Sequence, residues 1–170
     1  MTSESLAPDV LHVWALYLRA GEEARRRGDR RIGTEHLVLA LLADPSAETM
    51  LGVGVAQARQ AVEVLDQQAL GALGMGSDFD VPTLTMRHVA AKPKFRDVAT
   101  KNRMRMTPAA KAVLEEAVRP NRHKLHCTAQ QLLAAILTRQ SPDPAAALLG
   151  ALGVNAFDVK RRLAALAAEV

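Results

Sequence analysis

Few residues of this 170-residue chain have types and spacings that could do chemistry. His123, His126 and Cys127 form a His-x-x-His-Cys run, and imidazole and thiolate are the usual ligands of zinc. The run offers too few ligands for a site, and neighbours such as His126 and Cys127 point apart, so no metal is expected. Glu35 stands in the segment Gly33 to His36, just ahead of an apolar run. An acid in a first helical turn is favourable in any protein. A helix start also attracts anions, and a carboxylate beside it gives a guanidinium a planar two-oxygen partner. Arg87, Lys92, Lys94, Arg96, Lys101, Arg103 and Arg105 crowd into residues 86–106 against the single acid Asp97, a net +6. Such a segment can hold RNA, DNA or an acidic protein surface nonspecifically, or it is a solvated linker that keeps the chain soluble. Only Phe79 and Phe95 lie nearby to stack on a base, so nucleic acid is not favoured. No Ser/His/Asp order or carboxylate pair rises above chance, and no GxxxxGK[ST] phosphate loop is present. Neither an enzyme nor a cofactor is expected.

The elements that must position these residues are helical. The chain is 49% hydrophobic and only 3% aromatic, with Ala and Leu dominant, which excludes disorder and disfavours a β-sandwich. The whole carries +4, so everything outside the basic run sums to −2 and any polyanion site must lie on that run. A lone cysteine excludes an internal disulfide, and no apolar stretch approaches the ~20 residues that span a bilayer. A cytoplasmic protein is expected.

Two segments share one helix-start grammar. Thr34 to Leu42 and Thr128 to Ile136 match at an offset of 94, with Thr, Leu39/Leu133 and Ala40/Ala134 as identities. Each Thr is read as a cap, and Gln131 completes a Thr-x-x-Gln capping box. At this offset Glu35 falls on Ala129, and Cys127 falls on Gly33 as a small, partly buried residue before the cap. Each run is apolar on every side, which marks it as the buried centre of a bundle. Pro45 and Pro142/Pro144 follow, then Gly54-Val55 and Gly153-Val154 at an offset of 99, leaving five extra residues in the second loop, with both glycines read as helix stops. Amphipathic helices follow each stop, and others precede each run, from about Asp9 to Arg27 and from Pro108 to Arg119. Trp14 and Tyr17, with Leu11 and Leu18, are assigned to the inner face of the first helix. The expectation is an all-α chain of about eight helices: a flexible terminus 1–9, a first repeat 10–70, a basic Gly/Pro-containing linker 71–105 and a second repeat 106–170.

The segment Ala20 to Leu42, with its Gly-Thr-Glu-His-Leu core, resembles the first repeat of Clp ATPase N-terminal domains, and Met106 to Glu115 resembles the start of the second. The resemblance implies two four-helix repeats related by a pseudo-two-fold axis in one compact unit. It implies a domain that receives substrates and adaptors for an unfoldase, here without the ATPase modules. It further implies that Glu35, with Thr34 at the helix start, reads the guanidinium of phosphoarginine, that the second-repeat carboxylate is missing, and that His36 is structural. Lys111 and Met106 fall on the inter-repeat groove where ligands, cyclic-peptide antibiotics among them, contact such domains; Met106 replaces the usual aromatic. Expected partners are Clp ATPase or protease components, their substrates and adaptors, and proteins marked by phosphoarginine.

Overall fold

The computed structural model describes residues 10–74, 104–121 and 126–168. Eight α-helices lie in these stretches: α1 (Val13–Arg27), α2 (Thr34–Leu42), α3 (Pro45–Leu51), α4 (Val55–Ala72), α5 (Pro108–Val118), α6 (Ala129–Ile136), α7 (Pro144–Ala151) and α8 (Ala156–Ala168). Four short strands accompany them: β1 (Val10–His12), β2 (Arg31–Ile32), β3 (Arg105–Met106) and β4 (His126–Thr128). The expected all-α, two-repeat architecture is present, with α1–α4 and α5–α8 as its halves.

Local chemistry starts and stops these helices. Thr107 accepts the Ala110 N–H at 3.2 Å and Pro108 occupies the first turn of α5, where a missing N–H costs nothing. Asp44 and Asp143 cap α3 and α7 in the same way, each followed by Pro, with Asp143 accepting the Ala145 N–H at 2.9 Å. Gly28 ends α1 at φ 80, a left-handed conformation that suits glycine.

Helix α2 is the centre of the molecule. Thr34 and every residue from His36 to Leu42 are buried, and α1, α3, α4, α5, α6 and α7 all pack against it. With no polar face, it is stable only because neighbours cover it on all sides. Each of its fully enclosed leucines contributes about 2 kcal/mol of hydrophobic burial. Helices α1 and α5 lie on α2 and α6, while α7 of the second half packs on α2 and α3 of the first packs on α6. Arg59 on α4 donates to the Glu23 carboxylate on α1 from two of its guanidinium nitrogens, Nη2 and Nε, the latter at 3.2 Å. Burial pushes the Glu23 carboxyl up, but Arg59 and then Arg26 outweigh it and hold it below the usual carboxylate range.

The strands were not foreseen, and they tie the halves together. β1 pairs antiparallel with β4, Leu11 opposite Cys127, and β2 pairs parallel with β3, Ile32 opposite Met106. Two or three residues are too few to show an alternating pattern. Because Val10–His12 is a strand, α1 begins at Val13 rather than near Asp9, which lies outside the described residues.

Helix caps also correct the internal alignment. Thr128 caps α6, its hydroxyl accepting the Gln131 N–H at 3.1 Å while the Gln131 side chain accepts the Thr128 N–H at 3.0 Å. In α2 the cap is Gly33, and it is the His36 imidazole that accepts the Gly33 N–H, at 2.9 Å. Gly33 therefore corresponds to Thr128 and His36 to Gln131, an offset of 95 rather than 94. The pairing of Thr34 with Thr128 misled because the hydroxyl had moved one position relative to the capping role. Glu35 now corresponds to exposed Gln130, not Ala129, and Cys127 to Ile32, both fully buried. Since α3 and α7 start 99 apart, the second loop carries four extra residues, not five.

Two further expectations are overturned. Gly54 starts α4 in extended backbone, and the stop before it is Gly52 at φ 70; Gly153, at φ 69, is the second stop. Trp14 and Leu18 are not core: they are 55% and 40% exposed, and Leu16, Ala20 and Ala24 form the inner stripe of α1 instead. Trp14 stacks on Tyr17 with ring centroids 5.3 Å apart, and the Tyr17 hydroxyl donates to the Met104 carbonyl at 2.8 Å.

Removing the α6 cap gives a direct check. Thr128→Ala should lower stability by about 1 kcal/mol, or a few degrees in Tm for a chain of this size, as read by urea and thermal unfolding.

Candidate functional site

The end of α1, the turn through Asp29 and the start of α2 bring a group of charged side chains to one place. His36 in the third position of α2 is buried. Its Nδ1 accepts the Gly33 N–H, so Nε2 carries the hydrogen and donates to Asp29 Oδ2 at 3.0 Å. Both ring nitrogens are thus committed. Asp29, Glu35 and His36 have ligand atoms within 4.8 Å of one another, but the imidazole lone pair that a metal would need is already occupied by Gly33.

Glu35 occupies the second position of α2 with its side chain only 16% exposed. Oε1 lies 3.2 Å from His36 Nδ1 and 4.0 Å from Arg27 Nη1. Oε2 is buried and has no hydrogen-bond partner, an expensive state for a carboxylate oxygen. The carboxylate folds back over Gly33 so closely that a Cβ there would collide with it. Glycine at this position is therefore what lets Glu35 lie where it does.

Arg27, in the last turn of α1, donates from Nη2 to Asp66 Oδ2 on α4 at 2.6 Å and stands 3.6 Å from Asp29. Arg27, Glu35 and Asp66 share a cleft of about 200 Å³ with Val62, Leu65, Ala147 and Leu148, so both halves line it. In the cleft one guanidinium faces the two carboxylates of Glu35 and Asp66, leaving one negative charge in excess, with Asp29 close to Arg27 outside its lining. A second cationic group, a guanidinium or an ammonium, is what such a cleft can accept, with the Glu35 and Asp66 carboxylates as its partners.

The other predicted site residues are placed as follows. Thr34 is buried beside Glu35, but its hydroxyl donates across the halves to Asp143 Oδ1 at 2.6 Å and accepts the Ala145 N–H at 3.3 Å. Met106 packs half-buried next to Ile32 in the β2–β3 pair. Lys111 is 70% exposed on α5, paired with Glu115 at 3.6 Å, and does not line the cleft. Arg105 is exposed in β3 opposite Arg31; Arg87, Lys92, Lys94, Arg96, Lys101 and Arg103 lie outside the described residues. So does His123, while His126 and Cys127 follow one another along β4 and face opposite ways.

Arg27, Asp29 and Asp66 were missed. Asp66 could have been noticed, since it stands four residues after the buried Val62 on the inner stripe of α4.

Cys127 is fully buried in β4, where burial pushes its thiol up to about 11. At pH 8 only about one part in a thousand is thiolate, the reactive form. Iodoacetamide should leave the folded protein unmodified and add one adduct after denaturation, as mass spectrometry would show.

The family model described as the Clp repeat (R) N-terminal domain matches residues 12–149. No curated protein matches the chain. Among solved structures, it is similar to the N-terminal domain of the caseinolytic protease associated chaperone ClpD from Arabidopsis thaliana, with a TM-score of 0.56 and 18% identity over 90% of this chain and 92% of that one. At that identity the likeness establishes the fold.

Proposed function

The chain belongs to the Clp repeat N-terminal domain family, and from that premise we propose that it is a non-enzymatic binding module which recognises substrate, adaptor or marked proteins and supplies them to, or withholds them from, a Clp unfoldase or protease. Its two repeats span residues 10–70 and 106–170, joined through 71–105. What supports the reading is the Glu35 side chain, which lines a cleft where two carboxylates face one guanidinium and whose Oε2, folded over Gly33, is buried without a hydrogen-bond partner. A guanidinium in the cleft pairs with that carboxylate in a planar, charge-assisted contact. The marked group we favour is phosphoarginine. Its phosphate needs a cation or helix-start N–H groups; Arg27, and the first turn of α2 beside it, supply them. The second half has Gln130 at the corresponding position, so one ligand per chain is expected.

Calorimetric titration with phosphoarginine, and with arginine as control, at low and high salt tests this. Saturable binding near one site per chain, tighter for phosphoarginine and weakened by salt, supports the module as a reader of that mark. Failure of both ligands to bind overturns the assignment of Glu35.

A further inference from the structure

The cleft at Glu35 does not end at its own walls. Leu65 of α4 and Ala147 of α7 line it and also line a larger groove of about 490 Å³ running between the same two helices. Gln57, Gln60 and Gln68 stand along that groove, with Val64 and Leu152 as its apolar surface. From Asp66 back to Gln57 is about 14 Å of helix axis, at ~1.5 Å per residue. An extended chain covers that length in about four residues, at ~3.3 Å each.

The chemistry changes along the groove in a way that fits one kind of occupant. At one end, Glu35 and Asp66 offer carboxylates in excess of the single Arg27. Further along, each glutamine amide can both donate and accept, as a peptide backbone requires whatever its sequence. The α7 wall is Ala147 and Ala151, both exposed and too small to obstruct. The groove related to this one by the pseudo-two-fold axis, between α3 and α8, is different. It is lined by Met50, Val159 and Leu163 with Arg162 as its charge, where the α4–α7 groove carries glutamines.

We propose that the α4–α7 groove binds an extended peptide segment, with an arginine side chain inserted at the Glu35–Asp66 end and the next three or four residues lying between Gln60 and Gln57 of α4 and the alanines of α7. The anchored end rests on the proposed reading of Glu35, whereas the groove beyond it does not. This makes the ligand a stretch of unfolded polypeptide rather than an isolated side chain, and it confines binding to one of the two pseudo-equivalent grooves.

Fluorescence anisotropy with a short capped peptide, one arginine followed by alanine and serine, tests it beside N-acetylarginine amide as competitor and a citrulline version of the peptide. The peptide should bind at least tenfold more tightly than the amide, and citrulline should cost at least tenfold. Ala151→Tyr, at an exposed helix position that lines the groove but not the Glu35 cleft, should erase the advantage of peptide over amide while leaving the melting curve unchanged. The double variant Gln57→Ala, Gln60→Ala, also at surface positions, should reduce the same advantage. If peptide and amide bind equally and neither variant matters, the groove is overturned while Glu35 stands as anchor. If citrulline binds as well as arginine, the anchored end is overturned, and the reading of Glu35 with it. If the peptide does not bind, the proposal fails, and a change of oligomeric state in Ala151→Tyr would make the groove a contact between copies.

Discussion

The Glu35→Ala protein is expected to fold as its parent does and to lose measurable affinity for a phosphoarginine peptide. The side chain sits in the first turn of α2, where its contribution to the helix is a dipole interaction of under ~1 kcal/mol. Its removal leaves the His36–Gly33 cap and the Thr34–Asp143 bond in place, so stability should change little. Recognition should change greatly, because one of the two carboxylates lining the cleft goes with it. A lost charge-assisted bond to a shielded guanidinium costs about 2–3 kcal/mol, or roughly a hundredfold in Kd. Titration of both proteins, with thermal melts in parallel, reads the two effects separately; unchanged affinity rejects the site. Gly33→Ala refines the test. The backbone there is extended and accepts alanine, but the new Cβ displaces the Glu35 carboxylate. Affinity should fall with the carboxylate still present.

The largest loss of stability is expected from Leu41→Ala. Leu41 is fully buried in α2, and six other helices hold α2 in place. A cavity at that position cannot be closed by moving a single neighbour, which places the cost in the upper part of the usual ~2–5 kcal/mol range. Against a typical total of about 5–15 kcal/mol, that is a large share of what keeps the chain folded. A drop of about 10 °C in Tm is expected, with the urea midpoint falling and its slope unchanged. A drop of only one or two degrees would mean that α2 is less tightly enclosed than its burial indicates.

Much of this architecture is legible before any coordinates. Helix α2 shows itself because a nine-residue run without a polar face has to be central, and α5 and α6 because Thr107-Pro108 and Thr128-x-x-Gln131 are caps with known partners. Other features depend on tertiary neighbours. The alignment slipped by one residue because matching threonines looked equivalent, when Gly33 carries the cap through a histidine. Trp14 fits an inner face drawn through Leu11, Tyr17 and Leu18, whereas the inner stripe of α1 passes through Leu16 and the small Ala20 and Ala24. Glu35 stood out through its motif, but the charge balance around it did not. Arg27 meets Asp66 across 39 residues of chain, and nothing local in either sequence neighbourhood announces the other.

The crossed strand pairs bear on how the chain depends on its own continuity. Because β1 belongs with β4 and β2 with β3, each half completes itself with backbone borrowed from the other, as two subunits do in a swapped dimer. The Thr34–Asp143 bond and the packing of α7 on α2 add to the same exchange. The peptide link through residues 75–103 is therefore not what keeps the halves in register. A protein cleaved once within that stretch should still migrate as a single particle in gel filtration and bind its ligand, and the two fragments, made separately, should reassemble on mixing while neither folds alone.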